Sequence, residues 1–274
     1  MTTEPSHVTW LKRKAPLSSA DGKPIRVLEL SIDSSDDEAL SAWAAHFRRH
    51  YCLDAQIDRL RRGTGLTRAE YLTQLVFPDK TSAFGPATRS GDFAEILVSD
   101  LVQFKLGYVV PRTRYGNKKV RNESSKGTDV VGLRILSGDP TKFSKNDSVL
   151  TFETKAQLRA KSKSNRLQDA VDDCIRDEYR LAESLNAMKQ RLLDLQDEGQ
   201  ADMVERFQEP LARPFKVSTG AAAIVCTSLF DEALLESTDC SIASGVPDLV
   251  LLVVHGPQLM HLVHALYERA ASEA

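Results

Sequence analysis

The residues best placed to do chemistry lie in Val149–Ala156, VLTFETKA. β-Branched and apolar residues run up to a carboxylate, the pattern of a buried strand. Alternation along a strand puts Glu153 and Lys155 on one face, two residues apart. The carboxylate can ligate a hard divalent cation. The ammonium can orient or deprotonate a water, or offset charge developing on a phosphate. Such pairs are also common on solvated strand faces, so their weight here comes from the residues upstream.

Gly127–Ile135, GTDVVGLRI, reads as a second strand with Asp129 at its mouth. Ser137-Gly138-Asp139-Pro140 and Lys145-Asn146-Asp147 lie between the two strands and are turn-rich, which predicts a hairpin. Pairing the strands brings Asp129 beside Glu153. Carboxylates that close repel unless a cation compensates them. With a lysine next door, they are what an Mg²⁺-dependent phosphodiesterase needs. Further upstream, Gly91–Val98 (GDFAEILV) opens a helix, and Glu95 near its start is expected to supply a third carboxylate.

The ordered set Glu95, Asp129 and Glu153-Thr154-Lys155 resembles the PD-(D/E)xK nuclease superfamily. That pattern is a helix glutamate, a strand aspartate, then an acid-x-lysine on the next strand. Thr128 stands where the pattern has its proline, which is not itself a ligand. The broader layout, GDFAE, then KGTDVVG, then TFETKAQ, resembles the HamA-type subunit of Hachiman anti-phage defence systems over residues Ser90 to Pro214. The resemblance implies DNA cleavage and a superfamily 2 helicase partner of the HamB type. In a heterodimer that partner would hold the nuclease inactive until triggered. On this reading Asp129 and Glu153 hold Mg²⁺ (or Mn²⁺), with the Thr154 carbonyl a candidate to complete the shell. Lys155 positions the attacking water, Glu95 binds a second metal or a metal-bound water, and Gln157 orients substrate.

Two basic runs bracket these carboxylates. Arg112, Arg114, Lys118, Lys119, Arg121 and Lys126 precede them, opposed only by Glu123. Arg159, Lys161, Lys163 and Arg166 follow, with no acid among them. Basic residues flanking an acidic cluster are the footprint expected for gripping a phosphate backbone. A net charge of −2 over the 274 residues means that any affinity for DNA must come from such local patches.

The 42% hydrophobic and 27% charged composition is that of an ordinary globular chain with a real core. Cys52, Cys174, Cys226 and Cys240 are widely spaced, without a C-x-x-C, so neither a zinc template nor a disulfide framework is expected. The N-terminus has no apolar run of signal-peptide length, and Leu249–Val254 is far too short to span a bilayer. A cytoplasmic protein without membrane association follows as the expectation. His46 and His50 have metal-ligand spacing, but without a nearby H-E-x-x-H glutamate and with a solvated Arg48-Arg49 between them a metal role is not expected.

These residues must be positioned by the elements around them. Residues 1–85 are expected to form an N-terminal accessory lobe: a strand at Ile25–Ile32, a helix through Leu40, Trp43 and Phe47, and two short helices, Asp54–Arg62 and Thr67–Phe77. Thr67 with Glu70 makes a capping box for the last. Gly85-Pro86 marks the boundary to a nuclease-like domain, 86–274. That domain opens with an apolar helix, Gly91–Leu106, and a strand, Tyr108–Pro111. A long helical arm, about 164–209, follows the acid-x-lysine strand, capped by Ser164 or Asn165 and broken at Gly199. The arm from Leu167 to Glu209 carries twelve acids against five bases. It reads as a solvated amphipathic arm, as a docking surface for a partner, or as an acidic element that shields the basic cleft. Strands at Lys216–Cys226 and Leu249–Val254 and a closing helix, Pro257–Ala271, complete the chain.

The fold class expected is α/β: a PD-(D/E)xK-like central mixed sheet flanked by helices, with the N-terminal lobe and the helical insertion. The function expected is that of an Mg²⁺-dependent deoxyribonuclease acting as a defence effector. The alternative is a catalytically silent DNA- or partner-binding scaffold.

Overall fold

Strands that are apolar on both faces sit in the middle of one sheet, with shorter strands at its rims, as two-sided burial requires. The computed structural model of the chain describes residues 4–116, 118–159, 162–246 and 248–274. Its strands are β1 (Leu11–Arg13), β2 (Leu17–Ser18), β3 (Pro24–Leu30), β4 (Val130–Arg134), β5 (Ser148–Gln157), β6 (Lys216–Cys226) and β7 (Val250–Gly256). They form a single mixed sheet in the order β1-β3-β7-β6-β5-β4, with β2 also paired to β3. The four central strands run parallel. The rim strands β1 and β4 are antiparallel to their neighbours.

One face is covered by α1 (Ser6–Thr9), α2 (Asp37–Arg49), α5 (Gly85–Asp100) and α10 (Leu259–Ser272), with the short α3 (Asp54–Leu60) and α4 (Arg68–Tyr71) beside them. Trp43, Phe47, Phe93, Ile96 and Tyr267 from these helices pack with Leu150, Phe152, Ala222 and Val254 of the sheet. On the other face α6 (Arg166–Cys174) lays Leu167, Ala170 and Val171 on Ala221, Ala223 and Val253. The run of alanines in β6 lets helices approach from both sides. Gly220 goes further: a Cβ there would lie 2.3 Å from the Phe152 ring. The hairpin α7 (Asp177–Asp194) and α8 (Glu198–Glu205) covers the rim, packing Leu181, Leu185, Leu192, Val204 and Phe207 on Val131, Leu133 and Val149. The remaining helix, α9 (Glu232–Glu236), is short.

The first 85 residues share this sheet with the rest of the chain, because β3 pairs in parallel with β7 from Ile25↔Leu251 to Glu29↔His255. The expected arm is three packed helices. Asn165 caps α6 by accepting from the Gln168 backbone N–H at 3.1 Å. The break between α7 and α8 falls at Gln196, which has φ 58°, with Asp197 capping α8; Gly199 lies inside that helix. Of the strand expected at Tyr108–Pro111, the structure has a single bridge, Val109↔Leu133. The Glu95 helix starts at Gly85, six residues earlier than expected, because Pro86 fits the first helical turn, where no N–H is needed. The capping box of Thr67 and Glu70 is present as expected. Among the described residues, no helix is long and apolar enough to cross a membrane.

Candidate active site

The hairpin expected between the two strands is there. β4 and β5 pair antiparallel from Val130↔Phe152 to Arg134↔Ser148, and continuing that register by one residue sets Asp129 opposite Glu153. Directly opposed residues have Cβ atoms about 4.5–5.5 Å apart. Gly127 delivers Asp129 to this place: its φ of 95° needs a residue without Cβ. Ser184 on α7 braces the turn, accepting from the Thr128 N–H at 3.2 Å. Asp129 Oδ2 accepts from the Thr154 N–H of β5 at 3.0 Å, which fixes the carboxylate against the strand that carries Glu153.

Glu153 and Lys155 project on the α6 face. Lys155 Nζ donates to Glu153 Oε1 at 2.7 Å and pairs with Asp173 Oδ2 of α6 at 2.7 Å. Burial opposes the ammonium, but the bonds to Asp173 and Glu153 outweigh it and hold the Lys155 pKa above the ordinary lysine range. Gln157, further along that face, is occupied with the loop after β5. Its amide donates to the Ser162 carbonyl at 3.0 Å and accepts from the Ser164 N–H at 3.3 Å.

Glu95 belongs to α5, on the opposite face of the sheet. Its Oε2 accepts from Arg114 Nε at 2.7 Å and from the Tyr115 hydroxyl at 2.6 Å. Arg114 Nη2 donates to Asp129 Oδ1 at 2.7 Å, so one guanidinium joins the two carboxylates. Asp129 is thus where the two halves of the predicted set meet. Burial and then the charge of Glu95 push its carboxyl well above the usual range; Arg114 opposes this, and Glu153 adds to it. The three acids are not drawn into one coordination shell. Among the described residues, the trio of acidic or imidazole ligands with all donor atoms within 4.8 Å of one another is His7, His46 and Asp100.

That second cluster is built as an ion-pair knot. Asp100 is fully buried and bonds His7 Nε2 at 2.9 Å, His46 Nε2 at 2.8 Å and Arg112 Nη2 at 2.9 Å. Burial disfavours the Asp100 carboxylate, but His46 and His7 outweigh it and hold its pKa well below the usual range. The knot ties α1 and α2 to α5. His50 bonds Arg112 in the same cluster.

Most cations of the first basic run turn inward onto buried or half-buried acids. Arg112 takes Asp100, Arg114 takes Glu95 and Asp129, Lys118 takes Asp92, and Arg121 takes Asp79. The segment is thereby laid along α5. Lys119 and Lys126 are exposed with no ion pair among the described residues. In the second run Lys163 pairs with Asp231 and Arg166 with Asp169, while Arg159 is exposed. Lys161 lies outside the described residues. A cavity of about 370 Å³ opens between this segment and α7, lined by Arg112, Arg114, Lys119, Lys126, Asp129 and Arg191.

Sequence reasoning assigns no part in the site to Tyr115, Asp92 or Asp173, and it places Arg114 on DNA. Asp92 lies three residues before Glu95 on α5, the one spacing that could have flagged it. Burial raises its carboxyl to about 6; Lys118 opposes the rise and Glu95 adds to it.

The α/β sheet thus brings Asp129, Glu153 and Lys155 together at the mouth of an antiparallel strand pair. The family comparison is specific: the HamA family model matches residues 5–270, nearly the whole chain. The chain belongs to the HamA family, the HamA-type subunits of Hachiman defence systems. No curated protein and no solved structure matches it.

Proposed function

We propose that this chain is the nuclease effector of a Hachiman anti-phage system, hydrolysing DNA phosphodiesters with Mg²⁺ or Mn²⁺. The observation that carries the reading is the β4–β5 register, which sets Asp129 opposite Glu153, with Lys155 hydrogen-bonded to Glu153 at 2.7 Å. The donor set fits a hard cation, since buried carboxylates of like charge call for one. Asp129 and Glu153 would hold the ion, and Glu95 would join from α5. The ion would supply Lewis acidity and an acidified water. Lys155, kept protonated by Asp173 and Glu153, orients the attacking water or meets charge on the phosphate. Exposed Lys119, Lys126 and Arg159 are left to attract the backbone. A PD-(D/E)xK-type core and a HamB-type superfamily 2 helicase that silences the subunit until DNA is engaged belong to the same reading.

One observation favours a second reading, a DNA- or partner-binding scaffold without chemistry: Arg114 already neutralises Glu95 and Asp129. Incubating the chain with plasmid and linear DNA, with and without Mg²⁺, alone and with its helicase, decides between them. Metal-dependent cutting supports the nuclease. Binding without cutting under every condition supports the scaffold.

A further inference from the structure

The Arg114 guanidinium stands in a cage made only of oxygen. Nε and Nη2, one edge of its fork, meet Glu95 Oε2 and Asp129 Oδ1, each at 2.7 Å. Its other bonds run to the carbonyls of Thr128 at 2.7 Å and Ser125 at 2.9 Å and, at greater length, to those of Gly127 at 3.4 Å and Lys126 at 3.5 Å. Two carboxylates and backbone carbonyls gathered around one side chain are the oxygen donors that a hard divalent cation takes. The cation now among them belongs to the chain itself.

We propose that Arg114 is a built-in counter-cation that competes with the divalent metal for Glu95 and Asp129, so the metal loads only when this side chain swings out. The proposal rests on the metal-dependent reading of the site and adds its regulation. Three features support it. The guanidinium borders the 370 Å³ cavity beside α7, which gives it somewhere to go. Its segment stays anchored on both sides, through Arg112–Asp100 at 2.9 Å and Lys118–Asp92 at 2.5 Å, so a side-chain rotation suffices. The vacated cage keeps its oxygens, because the carbonyls belong to the turn that delivers Asp129. A phosphodiester entering the cavity would offer the fork an alternative bidentate partner. Substrate and metal would then favour each other's binding.

The test reads metal affinity with no DNA present. Mn²⁺ is titrated into the full-length chain by calorimetry, comparing wild type, Arg114→Gln and Arg114→Gln with Glu95→Gln. Arg114→Gln should bind Mn²⁺ at least about tenfold more tightly, because the competing cation is gone, and adding Glu95→Gln should cancel most of the gain. If Arg114→Gln does not fold, Arg114→Lys serves, since it keeps the charge but loses the two-pronged edge; its affinity should lie above that of wild type. Equal affinity in the folded variant and wild type overturns the proposal. Tighter Mn²⁺ binding without DNA cleavage would uphold the role of Arg114 and defeat the nuclease reading. Cleavage by wild type with unchanged affinity in the variant would do the reverse.

Discussion

Asp147 and Arg206 make a buried ion pair beneath the hairpin that sets Asp129 against Glu153, and removing one partner should cost more than any surface change in this chain. Both side chains are fully buried. Arg206 Nε donates to Asp147 Oδ2 at 3.0 Å, and the guanidinium also bonds the carbonyls of Arg213, Ser144 and Pro214. Asp147 in turn accepts from the N–H groups of Leu136 at 3.0 Å and Ser144 at 2.8 Å, closing the β4–β5 loop. Asp147→Ala leaves a buried guanidinium without its anion and two backbone donors without an acceptor, a loss of about 3–5 kcal/mol. For a chain of 274 residues that lowers the melting temperature by about 5–9 °C. Replacing both residues, Asp147→Ala with Arg206→Met, should recover much of the loss. pH supplies a further check. Burial pushes the Asp147 carboxyl up, but the Leu136 and Ser144 N–H groups and Arg206 outweigh it and hold its pKa below the usual range. A carboxylate with a depressed folded-state pKa contributes stability above its unfolded value of about 3.9 and loses it as pH falls through the folded one. The gap between wild type and Asp147→Ala should therefore be full at pH 7 and shrink below about pH 4. A loss under about 1 kcal/mol by urea denaturation at pH 7 would refute the reasoning.

Two other outcomes follow from the packing and the charges. Gly220→Ala drives a Cβ to within 2.3 Å of the Phe152 ring on β5. It should destabilise the chain by about 1–3 kcal/mol in thermal unfolding, and it should impair cleavage by displacing the strand that carries Glu153. Neutralising Lys119 and Lys126 together should flatten the log–log salt dependence of DNA affinity by roughly one unit for each phosphate no longer gripped, whereas Arg121→Gln, whose partner is Asp79, should leave the slope unchanged. An unchanged slope in the double variant would remove both lysines from the interface.

What was legible in the sequence was local or periodic. VLTFETKA lies within one strand, the turn-rich stretch after Ile135 closes a hairpin, and the Thr67 capping box forms as read. Lys216–Cys226 is a strand from end to end. The pairing of the two strands that carry Asp129 and Glu153 came through because antiparallel register follows from two short strands and a turn. What failed to show depends on distant partners. Nothing near Arg112, Arg114, Lys118 or Arg121 reveals that each faces an acid on or before α5, so a run that reads as a phosphate grip is largely an internal ion-pair ladder. The alternation of Ile25–Ile32 predicts a strand but not its parallel neighbour, β7, which comes from the far end of the chain. The acidic arm hid its packing because Leu181, Leu185 and Leu192 carry the helical period equally well against solvent, a partner or the chain's own sheet.

On the proposed reading, Asp129, Glu153 and Lys155 form a metal-dependent phosphodiesterase site. The most direct measurement is the rate of plasmid cleavage in Mg²⁺ by wild type, Glu153→Gln and Lys155→Ala, with folding checked by circular dichroism. Losing the metal ligand or the water-positioning cation should reduce the rate on the order of a thousandfold, about 4 kcal/mol of barrier, with the fold retained. Wild-type rates in Glu153→Gln would contradict the account.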